Sequence, residues 1–395
     1  MLFQIPSDSD IAACHKVLTS GVTEAMTYHI VLSGTRWAKT NEEIKLGTRP
    51  RNYITLLQEN LNARIHLPNA EATIADTVRS KLFTGQPENW ALARHLVNQL
   101  TSDDVVFCNA ENSSIPFSAY CVSKKDRPKV ISLFQNFDRP RNRFTAKCLR
   151  IAQSTDVFVV GSKFQRDLVC RDLNLPKSRV LHLPQFVDTN FFTPGLPSPD
   201  KKRPIIASAG LENRDYRLVA AATQDMDLDV KVCDASRFAK RLKKSFPDVV
   251  PANMEFQYYE MRELVQLYRD ADIFVMSVFE SDYHAGSTSL VEAMACKRPI
   301  IATATKGLSS YLDPDAILTV QPGDVAGMRQ AISYLLNNPD EANRRAERAY
   351  QIVMERHSLE VYANTIANCM KEMKEGDRPN RSSMIDPIKQ PVNLA

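Results

Sequence analysis

"DIFVMSVFESDYHAGSTSLVEAMACKRPIIAT" (residues 272–303) decides how the rest of the chain is read. An apolar run, DIFVM at 272–276, reads as a buried strand. A polar loop follows it, and Leu290, Val291, Ala293, Met294 and Ala295 read as a helix that starts near Ser287, where Gly286, Ser287, Thr288 and Ser289 favour a turn or a cap. Lys297-Arg298-Pro299 ends that helix, and Ile300-Ile301-Ala302 is again the short apolar run of a buried parallel strand. Strand, loop, helix, strand is one βαβ unit. A helix N-terminus in such a unit presents unpaired N–H groups and a partial positive charge, which suit a phosphate or diphosphate; the plainer reading is an ordinary capped helix.

The same alternation extends outward in both directions. YHIVLS (28–33), DVVFC (104–108), KVISLF (129–134), DVFVV (156–160) and RVLHL (179–183) form one strand series. IIASA (205–209), DVKVC (229–233), MEFQY (254–258), DIFVM, IIAT (300–303) and AILTV (316–320) form a second. Helical stretches at 88–99, 163–172, 260–269 and 324–336 separate many of them. Repeated βαβ alternation predicts α/β domains with parallel sheets covered on both faces. FFTPGLPSPDKKRP (191–204), with four prolines and no periodicity, is the best domain boundary. Ligands of open α/β sheets bind beyond the carboxyl ends of the strands, so the cleft between two such domains is the expected site.

Composition narrows the class. With 395 residues and 44% hydrophobic content the chain can bury two cores. No run approaches a membrane span, and Asp8 and Asp10 stand where a signal peptide would be basic, so a cytoplasmic location is expected. The eight cysteines (14, 108, 121, 148, 170, 233, 296 and 369) lack C-x-x-C spacing and read as reduced thiols, with no metal site implied. A net charge of +4 is too small to argue for nucleic acid. Two basic clusters stand out. Arg127, Lys129, Arg139, Arg141, Arg143, Lys147 and Arg150 surround what Pro140 and Asn142 suggest is a loop, and Arg237, Lys240, Arg241, Lys243 and Lys244 read as a solvated helix face. The tail, 374–395, is polar and reads as poorly ordered.

FVVGSKFQRDLVCRDLNLPKSRVLHLPQFVDTNFFTP (158–194) resembles the segment of family-4 glycosyltransferases that ends in a V-D-x-x-x-F-x-P signature, matched by Val187, Asp188, Phe192 and Pro194. IIASAGLENRDYRLVAAA (205–222) resembles the first strand-loop-helix of their donor domain. The quoted 272–303 stretch resembles their donor motif, and ERHSLEVYANTI (355–366) is similar to their C-terminal helix. The likeness is close over about 150–372 and loose before that.

This resemblance implies the GT-B fold, two Rossmann-like doubly wound domains facing a central cleft. It implies a retaining hexosyltransferase that takes a UDP- or GDP-sugar, with no cofactor and no metal. The domains would be an acceptor-side 1–195, a donor-binding 196–355 and a helix at 356–373 that crosses back. In that family two glutamates serve the donor. The second, here Glu292, would accept from the ribose hydroxyls. The first is replaced by His284, with Glu280 upstream able to take its part. Gly210 and the backbone of Gly286, Ser287, Thr288 and Ser289 would lie against sugar and diphosphate. Arg214 would neutralise the leaving group, while Leu211 stands where a second cation is expected. Arg214, His284 and Glu292 are thus the catalytic candidates. Gly34 and Thr35 would touch the donor phosphate from the amino-terminal side, and Glu111, Asn136, Asp138, Arg139 and Arg141 are acceptor-side candidates. The acceptor itself, a glycan, a lipid-linked sugar or a small molecule, stays open; the basic residues at 139–143 also allow peripheral contact with an anionic membrane surface. Leu211, His284 and only twelve glycines keep a non-catalytic nucleotide-sugar-binding or scaffold relative as the second reading, and an epimerase or phosphorylase-like enzyme as the third.

Overall fold

The computed structural model describes residues 28–234 and 241–374. Cys14, Arg237, Lys240, the amino-terminal stretch with Asp8 and Asp10, and the tail from 375 lie outside these residues.

The first sheet is built from β1 (Tyr28–Val31), β2 (Arg64–His66), β3 (Val105–Cys108), β4 (Lys129–Phe134), β5 (Val157–Val160) and β6 (Val180–His182) in the order β2-β1-β3-β4-β5-β6. The second comprises β7 (Ile205–Ala209), β8 (Asp229–Cys233), β9 (Met254–Gln257), β10 (Ile273–Met276), β11 (Ile300–Thr303) and β12 (Ile317–Val320), ordered β12-β11-β10-β7-β8-β9. Every pairing within the two sheets is parallel, with β4 running beside β5 in the register Ile131↔Val157 and β10 beside β11 as Phe274↔Ile300. The β-branched and aromatic runs that form the central strands are buried on both faces, which is why they read as unbroken apolar stretches. β2 departs from that pattern: Arg-Ile-His is short, charged and on the sheet edge, and nothing in its composition marks a strand.

Helices α1 (Trp37–Lys45), α2 (Tyr53–Leu61), α3 (Ile74–Leu82), α4 (Pro87–Gln99), α5 (Glu111–Cys121), α6 (Pro140–Cys148) and α7 (Lys163–Leu173) belong to the first domain, and α8 (Tyr216–Thr223), α9 (Met261–Asp270), α10 (Ser287–Ala295), α11 (Val325–Asn337) and α12 (Pro339–Arg356) to the second. Their ends follow local chemistry. Ser162 caps α7 and Asp324 caps α11 through side-chain acceptors, while Asn62 and Asn174 end α2 and α7 in the left-handed region. The segment read as a loop around Pro140 and Asn142 is instead α6. Proline at the first helical position starts a helix, since the N–H it lacks would have no intrahelical partner there.

The last described helix, α13 (Leu359–Lys374), packs not on the second domain but on the first, placing Leu359, Tyr362, Ile366 and Met370 against Ile30, Leu57, Phe107 and Ile131. Asp188 fastens this crossing. Its carboxylate accepts from the Arg51 backbone N–H at 2.7 Å and from the Arg51 guanidinium at 2.7 and 3.0 Å, and the same guanidinium reaches Glu360 on α13 at 2.7 Å. Val187 pairs its backbone with residues 357–359 beside it. The V-D signature is therefore a structural tie among the first domain, the connecting segment and α13.

Candidate functional site

In the second sheet the strand order reverses between β7 and β10, and the crevice beyond their carboxyl ends is where an open α/β sheet binds ligands. Two loops meet there, 210–215 after β7 and 277–286 after β10. Backbone bonds join them: Asp215 N–H to Ser277 O at 3.0 Å, Phe279 N–H to Asn213 O at 3.0 Å, and an Arg214↔Val278 bridge.

Arg214 is buried at this junction. Its guanidinium donates to Ala209 O at 2.9 Å, to Glu212 O at 2.7 Å and to Ser289 Oγ at 2.9 Å, so all three partners are neutral and its charge is not cancelled by them. Gly210 (φ +100°) and Gly286 (φ +90°) flank it. A Cβ on Gly210 would fall on the guanidinium itself, and one on Gly286 would come within 2.3 Å of Met276 Sδ and 3.2 Å of Arg214 Nη1. Both positions need glycine for backbone conformation and for closeness. Gly286 is also the N-cap of α10, where no side chain takes up the first N–H groups. A fixed cation beside an uncapped helix N-terminus is an anion site in chemical terms. Ser287 and Ser289 are buried within it, and Thr288 is exposed at its lip.

Glu292 lies in the second turn of α10 and is partly exposed. Tyr268 Oη on α9 donates to its Oε2 at 2.7 Å. Burial pushes the Glu292 carboxyl up to about 7, against the pull of Tyr268 and Arg214, which favour its charged form.

His284 has a different setting from an open cleft. It is 6% exposed and lies parallel to Tyr311 (centroids 6.2 Å apart, planes 4° apart), with Tyr283 tilted against it at 4.6 Å. Its Nε2 faces Gly161, at the end of β5 in the other domain, so closely that a Cβ there would be 2.6 Å away. Tyr311 continues the seam, donating from Oη to Gly161 O at 2.8 Å and accepting from Gln185 N–H at 2.9 Å, and it stacks on His357, whose Nδ1 lies 2.8 Å from Gln185 O. Burial holds His284 down to about 4, so the imidazole is neutral near pH 7, and its Nδ1 has no hydrogen-bond partner. Glu280 is exposed and accepts from the Lys306 N–H at 3.5 Å.

On the facing domain, the sheet order reverses between β1 and β3. Gly34 and Thr35 follow β1 in an exposed turn whose Ser33 N–H donates to Asn109 Oδ1 at 2.9 Å; no described contact ties them to the Arg214 loop. Glu111 opens α5 and is buried, its carboxylate taking the Asn136 N–H, with burial raising it and the nearby Arg139 opposing that rise. Asp138 is half-buried and likewise raised, by burial first and by Asp282 from the opposite domain as well. Arg139 reaches across to Glu212 at 3.8 Å. Glu111, Asn136, Asp138 and Arg139 therefore come together with Glu212, Asp282 and Tyr283 on the cleft. Arg141 does not: its guanidinium closes the carboxyl end of α3 through Ser80, Lys81 and Phe83 carbonyls. Leu211 is core, packed with Tyr216 and Val219.

Tyr268, Tyr311 and Gly161 carry no mark in the sequence that sets them at the site. Tyr268 sits in an amphipathic helix where an aromatic reads as core, and only its hydroxyl, which needs a buried partner, hinted otherwise. Among the described residues no cluster of three or more His, Cys, Asp or Glu side chains could hold a metal ion, and no helix is long and apolar enough to cross a membrane. A depression of about 430 Å³ on β12 and α11, lined by Gln321, Asp324 and Tyr334 among others, lies away from these loops and gathers no cation; the cleft is the better candidate.

Known structures share this two-domain fold. A sucrose-phosphate synthase from Thermosynechococcus elongatus superposes with a TM-score of 0.64 at 14% identity over 89% of this chain and 100% of that one. A UDP-forming α,α-trehalose-phosphate synthase from Burkholderia vietnamiensis gives 0.64 at 14% over 88% and 99%. HepE of Anabaena, solved in complex with UDP-glucose, gives 0.61 at 11% over 87% and 99%. The fold is GT-B. Residues 216–352, from α8 through most of α12, match the family model described as glycosyl transferases group 1. No curated protein matches the chain in sequence.

Proposed function

We propose that the protein is a retaining hexosyltransferase of the family-4 type, moving a sugar from a UDP- or GDP-sugar to an acceptor hydroxyl without a bound metal. The observation that carries this reading is Arg214, fixed between two left-handed glycines at the uncapped start of α10. A diphosphate laid against Gly286 and Ser289 would meet the start of α10 and the charge of Arg214, whose three hydrogen-bond partners are neutral. Both become more valuable as negative charge develops on the leaving group. Glu292 would accept from the ribose hydroxyls, one of its oxygens being already fixed by Tyr268. HepE, of the same fold, is solved with UDP-glucose, which supports a uridine donor as the first to test.

In domain terms we assign 1–195 to the acceptor side, 196–355 to the donor and 356–373 to the crossing helix. Glu111, Asp138 and Arg139 would meet the acceptor, and peripheral contact with an anionic membrane is part of the reading. The seven described cysteines are all free thiols, which suits a reducing, cytoplasmic setting.

A second reading, a protein that binds a nucleotide sugar without transferring it, draws on the burial of His284 in the domain seam against Gly161 and Tyr311. One experiment separates the two. Incubation with UDP-glucose and GDP-mannose, followed by NMR of released sugar or product, should show turnover with the donor's anomeric configuration kept. Binding with no turnover on any acceptor would favour the second reading, and an inverted product would remove retention.

A further inference from the structure

Helix α3 is inside out. Its one buried side chain is Asp76, held by Thr73 in a capping box and by Arg94 at 2.9 Å, while Ile74, Val78 and Leu82 are 87%, 48% and 64% exposed. Spaced four apart, these three share one face, so the helix turns its acid inward and an apolar stripe outward. Helix α6 adjoins its end, because Arg141 donates to the Ser80, Lys81 and Phe83 carbonyls. Phe144, three residues beyond Arg141 on the same face of α6, is 61% exposed. A single exposed apolar residue is ordinary, but four large ones on two adjoining helices mark an interaction surface.

Charge identifies the partner. Lys81 lies beside Leu82, and Arg141 and Lys147 flank Phe144, all three exposed. On this side Asp172 is shared by Arg143, Arg171 and Lys147, leaving cations in excess of their carboxylate. Apolar side chains ringed by cations match the surface of an anionic bilayer, which offers negative headgroups over hydrocarbon. We infer that α3 and α6 form a docking face for an anionic phospholipid membrane, with Ile74, Val78, Leu82 and Phe144 entering the headgroup layer and Lys81, Arg141 and Lys147 above it.

The face has a functional position. Arg139, the N-cap of α6, is the residue that faces Glu212 across the cleft, so docking on α6 would hold the cleft mouth near the membrane and admit a membrane-anchored acceptor. This last step rests on the proposed transfer reaction; the docking itself does not.

Co-sedimentation of the full chain with phosphatidylglycerol/phosphatidylcholine vesicles, and with phosphatidylcholine alone, tests the face. The protein should pellet with the anionic vesicles at low salt and release as salt rises. The combined variant Ile74→Ser, Val78→Ser, Leu82→Ser, Phe144→Ser should bind at least 10-fold more weakly, with melting temperature and UDP-glucose affinity unchanged. Lys81→Glu with Lys147→Glu should weaken binding and flatten its salt dependence. Failure of the unmodified protein to pellet, or equal binding by the four-serine variant, would overturn the inference. So would concentration-dependent self-association abolished by the four serines, which would make the face a contact between copies. A lower melting temperature in that variant without lipid binding would show that the chain itself covers the stripe, and would equally overturn it. Loss of UDP-glucose binding with vesicle binding intact would instead sink the transferase reading alone.

Discussion

Tyr268 Oη donates to Glu292 Oε2 at 2.7 Å from a ring with no exposed surface, so the carboxylate proposed to read the ribose has one oxygen fixed before any ligand arrives. The phenol favours the ionised carboxylate while burial opposes it, and the balance leaves Glu292 near 7 instead of 4.5. Its pH consequences run in two directions. A carboxyl raised on folding stabilises the folded state at low pH, and that contribution is lost as pH rises from about 4.5 to about 7. Ribose hydroxyls need an acceptor, so donor affinity should rise over the upper part of the same window.

Calorimetric titration with UDP-glucose between pH 6 and 8.5 should therefore show affinity climbing through a midpoint near 7. Tyr268→Phe should shift the midpoint to higher pH, and Glu292→Gln should weaken binding and flatten the profile. A Tyr268→Phe profile that falls in affinity without moving along the pH axis would reduce Tyr268 to packing.

Arg214 makes three directed bonds that a lysine ammonium cannot reproduce from the same stem. Arg214→Ala should lower turnover by ~10²–10³-fold, and more than it lowers donor affinity, if the contact tightens as the diphosphate leaves. Arg214→Lys should recover little. Equal losses in turnover and affinity would make Arg214 a ground-state binding residue.

Gly286→Ala combines a left-handed backbone with a Cβ 2.3 Å from Met276 Sδ. It should cost ~1–3 kcal/mol of stability and displace the start of α10, so that donor binding falls even in the folded protein. Chemical denaturation paired with UDP-glucose titration checks both, and a variant as stable as the parent would mean the loop relaxes freely.

What the sequence disclosed, and what it did not, follows from the range of the interactions involved. IIASA and IIAT coincide with β7 and β11 residue for residue, because a strand buried on both faces reads as an almost unbroken apolar run, and DVKVC coincides with β8, where buried Val230 and Val232 alternate with half-buried Asp229 and Lys231. Arg-Ile-His at β2 carried no such mark, since β2 is itself the sheet edge and its side chains are exposed or half-buried. Ser287 as the start of α10 was readable from the glycine and small hydroxyl residues at 286–289, although the N-cap is Gly286 and no side chain caps the helix. The burial of His284 was not, for it depends on Gly161, 123 residues earlier, and on Tyr311. Arg141 likewise reads as a loop cation until α3 is seen to end beneath it.

Arg51 holds the Asp188 carboxylate, whose side chain is only 2% exposed, and links it to Glu360. Arg51→Ala leaves that charge without its cation, so stability should fall by on the order of 3 kcal/mol. Replacing Asp188 as well should restore part of the loss, because the stranded charge is then gone. A strictly additive double variant, measured by urea unfolding, would show that the pair does not couple.

His284 takes the place of a glutamate in the resembling family, and its surroundings explain why an imidazole is tolerated there. A carboxylate between Tyr311 and Gly161 would be a buried charge facing a tyrosine ring, whereas a neutral imidazole stacks on that ring. Its value near 4, below the usual 6.5, means that its contribution to stability is complete above pH 6.5 and is lost as pH falls toward 4; His357 in the same seam behaves alike. His284→Ala should thus lower the melting temperature at pH 7 and weaken its dependence on pH between 6.5 and 5, with His357 and His66, likewise held down by burial, retaining part of it. Nucleotide affinity should be nearly unchanged, since Arg214, Ser289 and Glu292 make no hydrogen bond to the imidazole. Transfer should slow, because the seam sets how the two domains face each other. Gly161→Ala attacks the same contact from the other side, its Cβ only 2.6 Å from Nε2, and should reproduce the slower transfer without touching a donor residue. If Gly161→Ala left transfer intact while His284→Ala abolished it, the imidazole would act on the sugar directly and not through the seam.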